Sequence, residues 1–139
     1  MIAGISHITL TVGDLEKSAR FLETVLGATE IYSSGDAKFS LSREKFFTIG
    51  DVWICLMEGD AKLERSYNHV AFKIAETDFD ECLRRVRLCG LEIREGRSRV
   101  SGEGRSIYFY DYDNHLFELH TGTLSEGLAS YREIDAVRR

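Results

Sequence analysis

Two histidines stand at matching places in two similar stretches of this 139-residue chain. His7 lies in Gly4-Ile5-Ser6-His7-Ile8-Thr9-Leu10-Thr11-Val12 and His69 in Ser66-Tyr67-Asn68-His69-Val70-Ala71-Phe72-Lys73-Ile74, an offset of 62 residues. A third ligand-type side chain, Glu118, sits in the run His115-Leu116-Phe117-Glu118-Leu119-His120. Two imidazoles and one carboxylate form the donor set of a catalytic divalent-metal centre. Three protein donors hold the ion and leave other positions for water or substrate. The same set suits a non-haem Fe(II) oxygenase, so the donors alone leave the reaction open. The other titratable groups read differently. His115 falls beside a turn and reads as packing, and His120 as a strand-end residue. Cys55, the repeat counterpart of Glu118, reads as a small buried hydrophobe rather than a fourth donor.

Whether the three donors can meet depends on the elements that carry them. Both histidine stretches alternate apolar and polar residues, the period of a half-buried strand. Ile8, Leu10 and Val12 take one face and His7, Thr9 and Thr11 the other. Val70, Phe72 and Ile74 oppose Tyr67, His69 and Ala71 in the same way. Each strand precedes a helix signal. Asp14 is an N-cap, Leu15, Ala19, Leu22 and Leu26 form a stripe, and Gly27 is the stop; Phe79, Cys82, Leu83, Val86 and Cys89 form the second stripe before Gly90. Strands are expected at 29–33, 45–49 and 52–57, and again at 91–94, 106–110 and 115–120. The pattern is βαβββ twice, an α+β fold of paired modules (4–58 and 66–121) in a cupped mixed sheet, followed by a C-terminal tail, 122–139, within a single domain. With helices over the apolar faces, His7, His69 and Glu118 project from the opposite, concave face.

Composition narrows the field. Hydrophobic residues at 43% and charged ones at 29% exclude a disordered or collagen-like chain, and the length suits one domain with its own core. Eighteen Lys and Arg against 23 Asp and Glu give a formal charge of −5, which argues against general nucleic-acid binding. No apolar run approaches the ~20 residues of a membrane span, and the opening MIAGISHITL lacks a basic region and cleavage site. A cytoplasmic protein without membrane or nucleic-acid partners is expected. Cys55, Cys82 and Cys89 lack CxxC spacing and indicate neither a disulfide framework nor a zinc knuckle.

Three stretches carry a more specific resemblance. They are Phe39-Ser40-Leu41-Ser42-Arg43-Glu44-Lys45-Phe46-Phe47, Glu64-Arg65-Ser66-Tyr67-Asn68-His69, and Gly102-Glu103-Gly104-Arg105-Ser106-Ile107-Tyr108-Phe109-Tyr110-Asp111 with its continuation Asp113-Asn114-His115-Leu116-Phe117-Glu118-Leu119-His120. In these the chain resembles the vicinal-oxygen-chelate (glyoxalase/bleomycin resistance/dioxygenase) superfamily and, more narrowly, the FosX-type fosfomycin resistance epoxide hydrolases. The resemblance implies Mn(II) held by His7, His69 and Glu118. It also implies a homodimer in which His7 comes from one subunit and His69 with Glu118 from the other. The substrate implied is a small phosphonate epoxide, opened by water to a vicinal diol.

Within that resemblance Glu44, which alone would read as a solvated charge, is the general base that takes a proton from water. Ser106 and Tyr108 share a strand parity and supply hydroxyls to the phosphonate. Arg97 and Arg99 precede that strand, where a guanidinium fork suits phosphonate oxygens. Thr9 hydrogen-bonds substrate, and Trp53 and Tyr67 wall the pocket. One position departs from the pattern. The family arginine that follows the Gly-Thr-Leu turn is Gly127 here, which implies weaker phosphonate binding unless Arg97, Arg99 or Arg132 compensates. A thiol transferase acting on fosfomycin and a non-catalytic drug-binding protein of the same superfamily are the alternatives.

Overall fold

Asp14 caps the first helix as its sequence position suggests, its side chain accepting from the Lys17 amide at 3.0 Å, and Gly27 ends the helix with φ 64° in the left-handed region. The computed structural model describes residues 1–96 and 99–139. Its elements run β1 (His7–Val12), α1 (Leu15–Leu26), β2 (Thr29–Ser33), β3 (Glu44–Ile49), β4 (Val52–Glu58), β5 (His69–Lys73), a short 3-10 turn, α2 (Phe79–Leu88), β6 (Glu92–Arg94), β7 (Ser106–Tyr110), β8 (Leu116–His120) and α3 (Leu124–Arg138). The strands form two four-stranded sheets, ordered β1-β4-β3-β2 and β5-β8-β7-β6. The α+β class and the doubled βαβββ order follow the expectation.

The chain divides into two units, residues 1–65 with 111–115, and residues 66–110 with 116–139. In the first, β1 pairs parallel with β4 and β4 antiparallel with β3, in a register that sets His7 opposite Trp53 and Thr9 opposite Cys55. In the second, β5 pairs parallel with β8, setting His69 opposite Leu116 and Ala71 opposite Glu118. These are the same pairings shifted by 62 and 63 residues, so the sequence repeat is also a repeat of sheet register.

Helix α1 packs on β3 and β4, burying Leu15, Phe21, Leu22 and Val25 with Leu10, Val12, Phe47, Ile54 and Leu56. In the second unit Phe79, Val86, Ile107, Phe109, Phe117 and Leu119 are buried, and Phe117 stacks on Phe109 at 5.6 Å. Burying a Leu, Val or Phe side chain contributes roughly 1.5–3 kcal/mol, and this is what holds each sheet to its helix.

Two details differ from the sequence reading. His115 lies outside β8, in a turn where the Asp111 carboxylate accepts from the His115 amide at 2.8 Å and sits 2.7 Å from its Nδ1. Asn114 takes a left-handed φ of 66° there. Residues 122–139, read as a tail, fold mostly into α3. Thr123 is its N-cap: the Thr123 side chain accepts from the Glu126 amide at 3.1 Å and donates to the Glu126 carboxylate at 2.9 Å.

Candidate metal and substrate site

Strand register decides which side chains share a face. In the first unit, residues directly opposite each other place His7, Thr9, Trp53, Cys55, Phe46 and Glu44 on one face, away from α1. The His7 ring stacks on Trp53 with centroids 4.2 Å apart, and Trp53 meets Phe46 edge-on at 5.1 Å. Ser6 Oγ lies 3.0 Å from His7 Nδ1, leaving Nε2 as the available donor. Thr9 is exposed on the same strand.

Glu44 is only 8% exposed. Its amide donates to Ser34 Oγ at 2.9 Å and its carbonyl accepts from the Ser34 amide at 3.0 Å, so the backbone is pinned on both sides. The carboxylate itself accepts from the Cys55 thiol, with Sγ 3.7 Å from Oε2.

In the second unit the corresponding face carries His69, Glu118, His120, Tyr108 and Ser106. His69 Nδ1 lies 2.7 Å from the Tyr67 carbonyl oxygen. A carbonyl only accepts, so Nδ1 carries the proton and the ring presents Nε2. That nitrogen faces Glu118 Oε1 at 3.0 Å. Two lone-pair atoms at this distance need a cation, a proton or a metal ion, to bridge them. Donors about 2.1 Å from a small octahedral divalent ion lie about 3 Å apart when adjacent, which matches this pair. A histidine whose second nitrogen donates to a backbone carbonyl is the usual arrangement of a metal ligand. The donor set therefore fits a divalent metal.

The other Glu118 oxygen, Oε2, is crowded with donors. Ser106 Oγ lies 2.5 Å away and Arg99 Nη2 2.9 Å away. Burial alone would raise the Glu118 pKa. Hydrogen bonds from Ser106 and Tyr108 and the charge of Arg99 outweigh it and hold the carboxyl below its ordinary value. Arg99 Nη2 also reaches Ser106 Oγ at 2.7 Å and Tyr108 Oη at 2.8 Å. Tyr67 Oη donates to Tyr108 Oη at 3.3 Å. Tyr108 is raised well above its ordinary pKa by burial, by that bond and by the Glu118 charge, so it stays a neutral hydroxyl.

Five of the expected residues, Tyr67, His69, Arg99, Ser106 and Tyr108, thus gather around Glu118. His7, Thr9, Trp53 and Glu44 share the face of the first unit. Arg97 lies outside the described residues. Among the described residues no cluster of three or more His, Cys, Asp or Glu side chains arranged for a metal ion occurs within the chain. Arg105 pairs with Glu76 at 2.8 Å, and its guanidinium covers the Phe79 ring at 3.6 Å.

Two participants, Glu103 and Tyr131, escaped the sequence reading. Glu103 is 4% exposed. It ties Arg99 (3.4 Å) and the Val100 amide (3.1 Å) to the Tyr131 hydroxyl of α3, and so fixes the loop that delivers Arg99. Its spacing of four from Arg99 was the available signal. Gly127 lies beside a cavity of about 250 Å³ lined also by His120, Leu124, Leu128 and Tyr131. A side chain at position 127 would enter open space.

Residues 4–119 match the glyoxalase/bleomycin resistance protein/dioxygenase superfamily. The fosfomycin resistance protein FosX of Listeria innocua is 60% identical over 133 residues, 96% of this chain and all of that protein. The crystal structure of FosX from Mesorhizobium loti aligns with TM-score 0.83 at 57% identity, covering 93% of this chain and 99% of that one. A variant of Listeria monocytogenes FosX complexed with Mn(II) and 1S,2S-dihydroxypropylphosphonic acid aligns with TM-score 0.86 at 55% identity, covering 94% and 99%. The chain belongs to the glyoxalase/bleomycin resistance protein/dioxygenase superfamily and, within it, to the FosX family.

Proposed function

We infer that this chain is a Mn(II)-dependent epoxide hydrolase that adds water to fosfomycin, an epoxide bearing a phosphonate, and so confers resistance. The observation that carries the reading is the His69–Glu118 pair: its tautomer is set by the Tyr67 carbonyl, its donors are spaced for a divalent ion, and a guanidinium and two hydroxyls lie beside it. The relative that holds Mn(II) together with a dihydroxypropylphosphonic acid supports hydration, because water added across an epoxypropylphosphonate gives that diol.

In this reading His7, His69 and Glu118 hold the ion. Mn(II), when bound, supplies Lewis acidity that stabilises negative charge on the epoxide oxygen as the ring opens. Arg99, Ser106 and Tyr108 bind the phosphonate, the guanidinium as a charge-assisted fork and the hydroxyls as single donors. Thr9 orients the substrate, and Trp53 and Tyr67 wall the pocket. Glu44 accepts a proton from water as the oxygen attacks the ring carbon; the C–O bond of the ring breaks, and the freed oxygen takes up a proton from solvent. The protein acts as a homodimer, His7 of one protomer joining His69 and Glu118 of the partner subunit at each centre.

Phosphorus NMR of fosfomycin with Mn-loaded protein and no thiol tests this. Wild type is expected to yield the diol, and Glu44→Gly to yield none while its Mn(II) content is unchanged. Conversion that requires an added thiol would assign the chain to the transferases instead.

A further inference from the structure

Among the described residues Cys55 is the one buried titratable group on the Glu44 face that the proposed reaction leaves unused, and its surroundings give it a task. It stands in β4 between two strands that carry expected site residues. Thr9 of β1 is directly opposite it, and Glu44 of β3 is one diagonal step away. The thiol donates to Glu44 Oε2 at 3.7 Å. A thiol and a carboxylate are therefore hydrogen-bonded across two adjacent strands, with Thr9 next to the thiol on the third. Glu44 and Cys55 are both buried, at 8% and 4% exposure.

We propose that Cys55 is a positioning residue for Glu44: its S–H holds Oε2 so that the second carboxylate oxygen is aimed to receive the proton of the attacking water. The proposal rests on the assignment of Glu44 as the base and deepens it. A thiol suits the task because it is a weak donor. It fixes the carboxylate's orientation while drawing little electron density from it, whereas a guanidinium or ammonium would suppress the basicity that the step requires. The donor also has to keep its proton. Burial, then the charge and hydrogen bond of Glu44, push the Cys55 thiol up to about 11, outweighing the opposing effect of the Thr9 hydroxyl, so it remains S–H wherever a carboxylate base operates. The same shift makes Cys55 a poor nucleophile.

The test uses Mn-loaded Cys55→Val, which keeps an apolar group of similar size without the donor, beside Cys55→Ser and Glu44→Gln. Cys55→Val is expected to lower kcat about tenfold with KM within about twofold of wild type. Cys55→Ser, which restores a donor, is expected to recover most of the loss. A second readout needs neither metal nor turnover. The infrared S–H band that disappears in Cys55→Val should move to higher wavenumber in Glu44→Gln, where the acceptor is weaker. Wild-type kcat in Cys55→Val, alongside inactive Glu44→Gln, would overturn the positioning role alone. Active Glu44→Gln would overturn the base assignment and this role with it. An S–H band that does not move would remove the hydrogen bond on which the role depends.

Discussion

The guanidinium of Arg99 meets Glu118, Ser106, Tyr108 and Glu103 at once, with its side chain 19% exposed. Both carboxylates it touches are more deeply buried than it is, so deleting it strands negative charge in a poorly solvated place. Arg99→Ala should therefore lower the stability of the metal-free protein by up to about 3 kcal/mol in chemical denaturation, and raise KM for fosfomycin at least about tenfold. Arg99→Lys keeps the charge but loses the fork, and should fall between the two. An unchanged KM in both variants would remove Arg99 from the phosphonate site. Gly127 calls for the opposite experiment. The space beyond its Cα is open, and a helix-interior glycine costs about 1 kcal/mol relative to a good helix former. Gly127→Arg should raise the melting temperature and, by adding a charge-assisted contact, lower KM several-fold. A KM that rises would mean that the cavity beside Gly127 does not serve the phosphonate.

Helix α3 depends on its first turn, because it buries little apolar surface: Leu124 is 79% exposed, and Ser130 is its buried residue. Thr123→Ala removes the cap and should cost about 1 kcal/mol, seen as faster amide hydrogen exchange confined to 124–131. Uniform destabilisation of the whole chain would contradict a local role. This helix is also where the sequence was hardest to read. The strands and first two helices are legible because burial on one face imposes a period, and parity then assigns His7 in one unit, and His69, Glu118, Ser106 and Tyr108 in the other, to shared strand faces. α3 has no such face, and only the Thr123 N-cap announced it. The Cys55–Glu44 bond and the Glu103 clamp were invisible for a different reason. Both join residues on different strands, or on a loop and a helix, and such pairings follow from register and loop path rather than from spacing along the chain.

At the scale of the molecule, the duplication repeats both sequence and register yet leaves the two faces chemically unequal. One carries His7 and Glu44, the other His69 and Glu118 with Arg99, Ser106 and Tyr108 beside them. In the proposed dimer, unlike faces pair and complete two identical centres, one per protomer. The most direct measurement mixes two inactive variants, His7→Ala and Glu118→Ala, through unfolding and refolding with Mn(II). In the mixed dimer one centre receives both defects and the other neither, so the account predicts recovery of about a quarter of wild-type diol formation, with a matching fraction of bound Mn(II). A mixture as inactive and as metal-poor as its components would contradict a centre shared between chains.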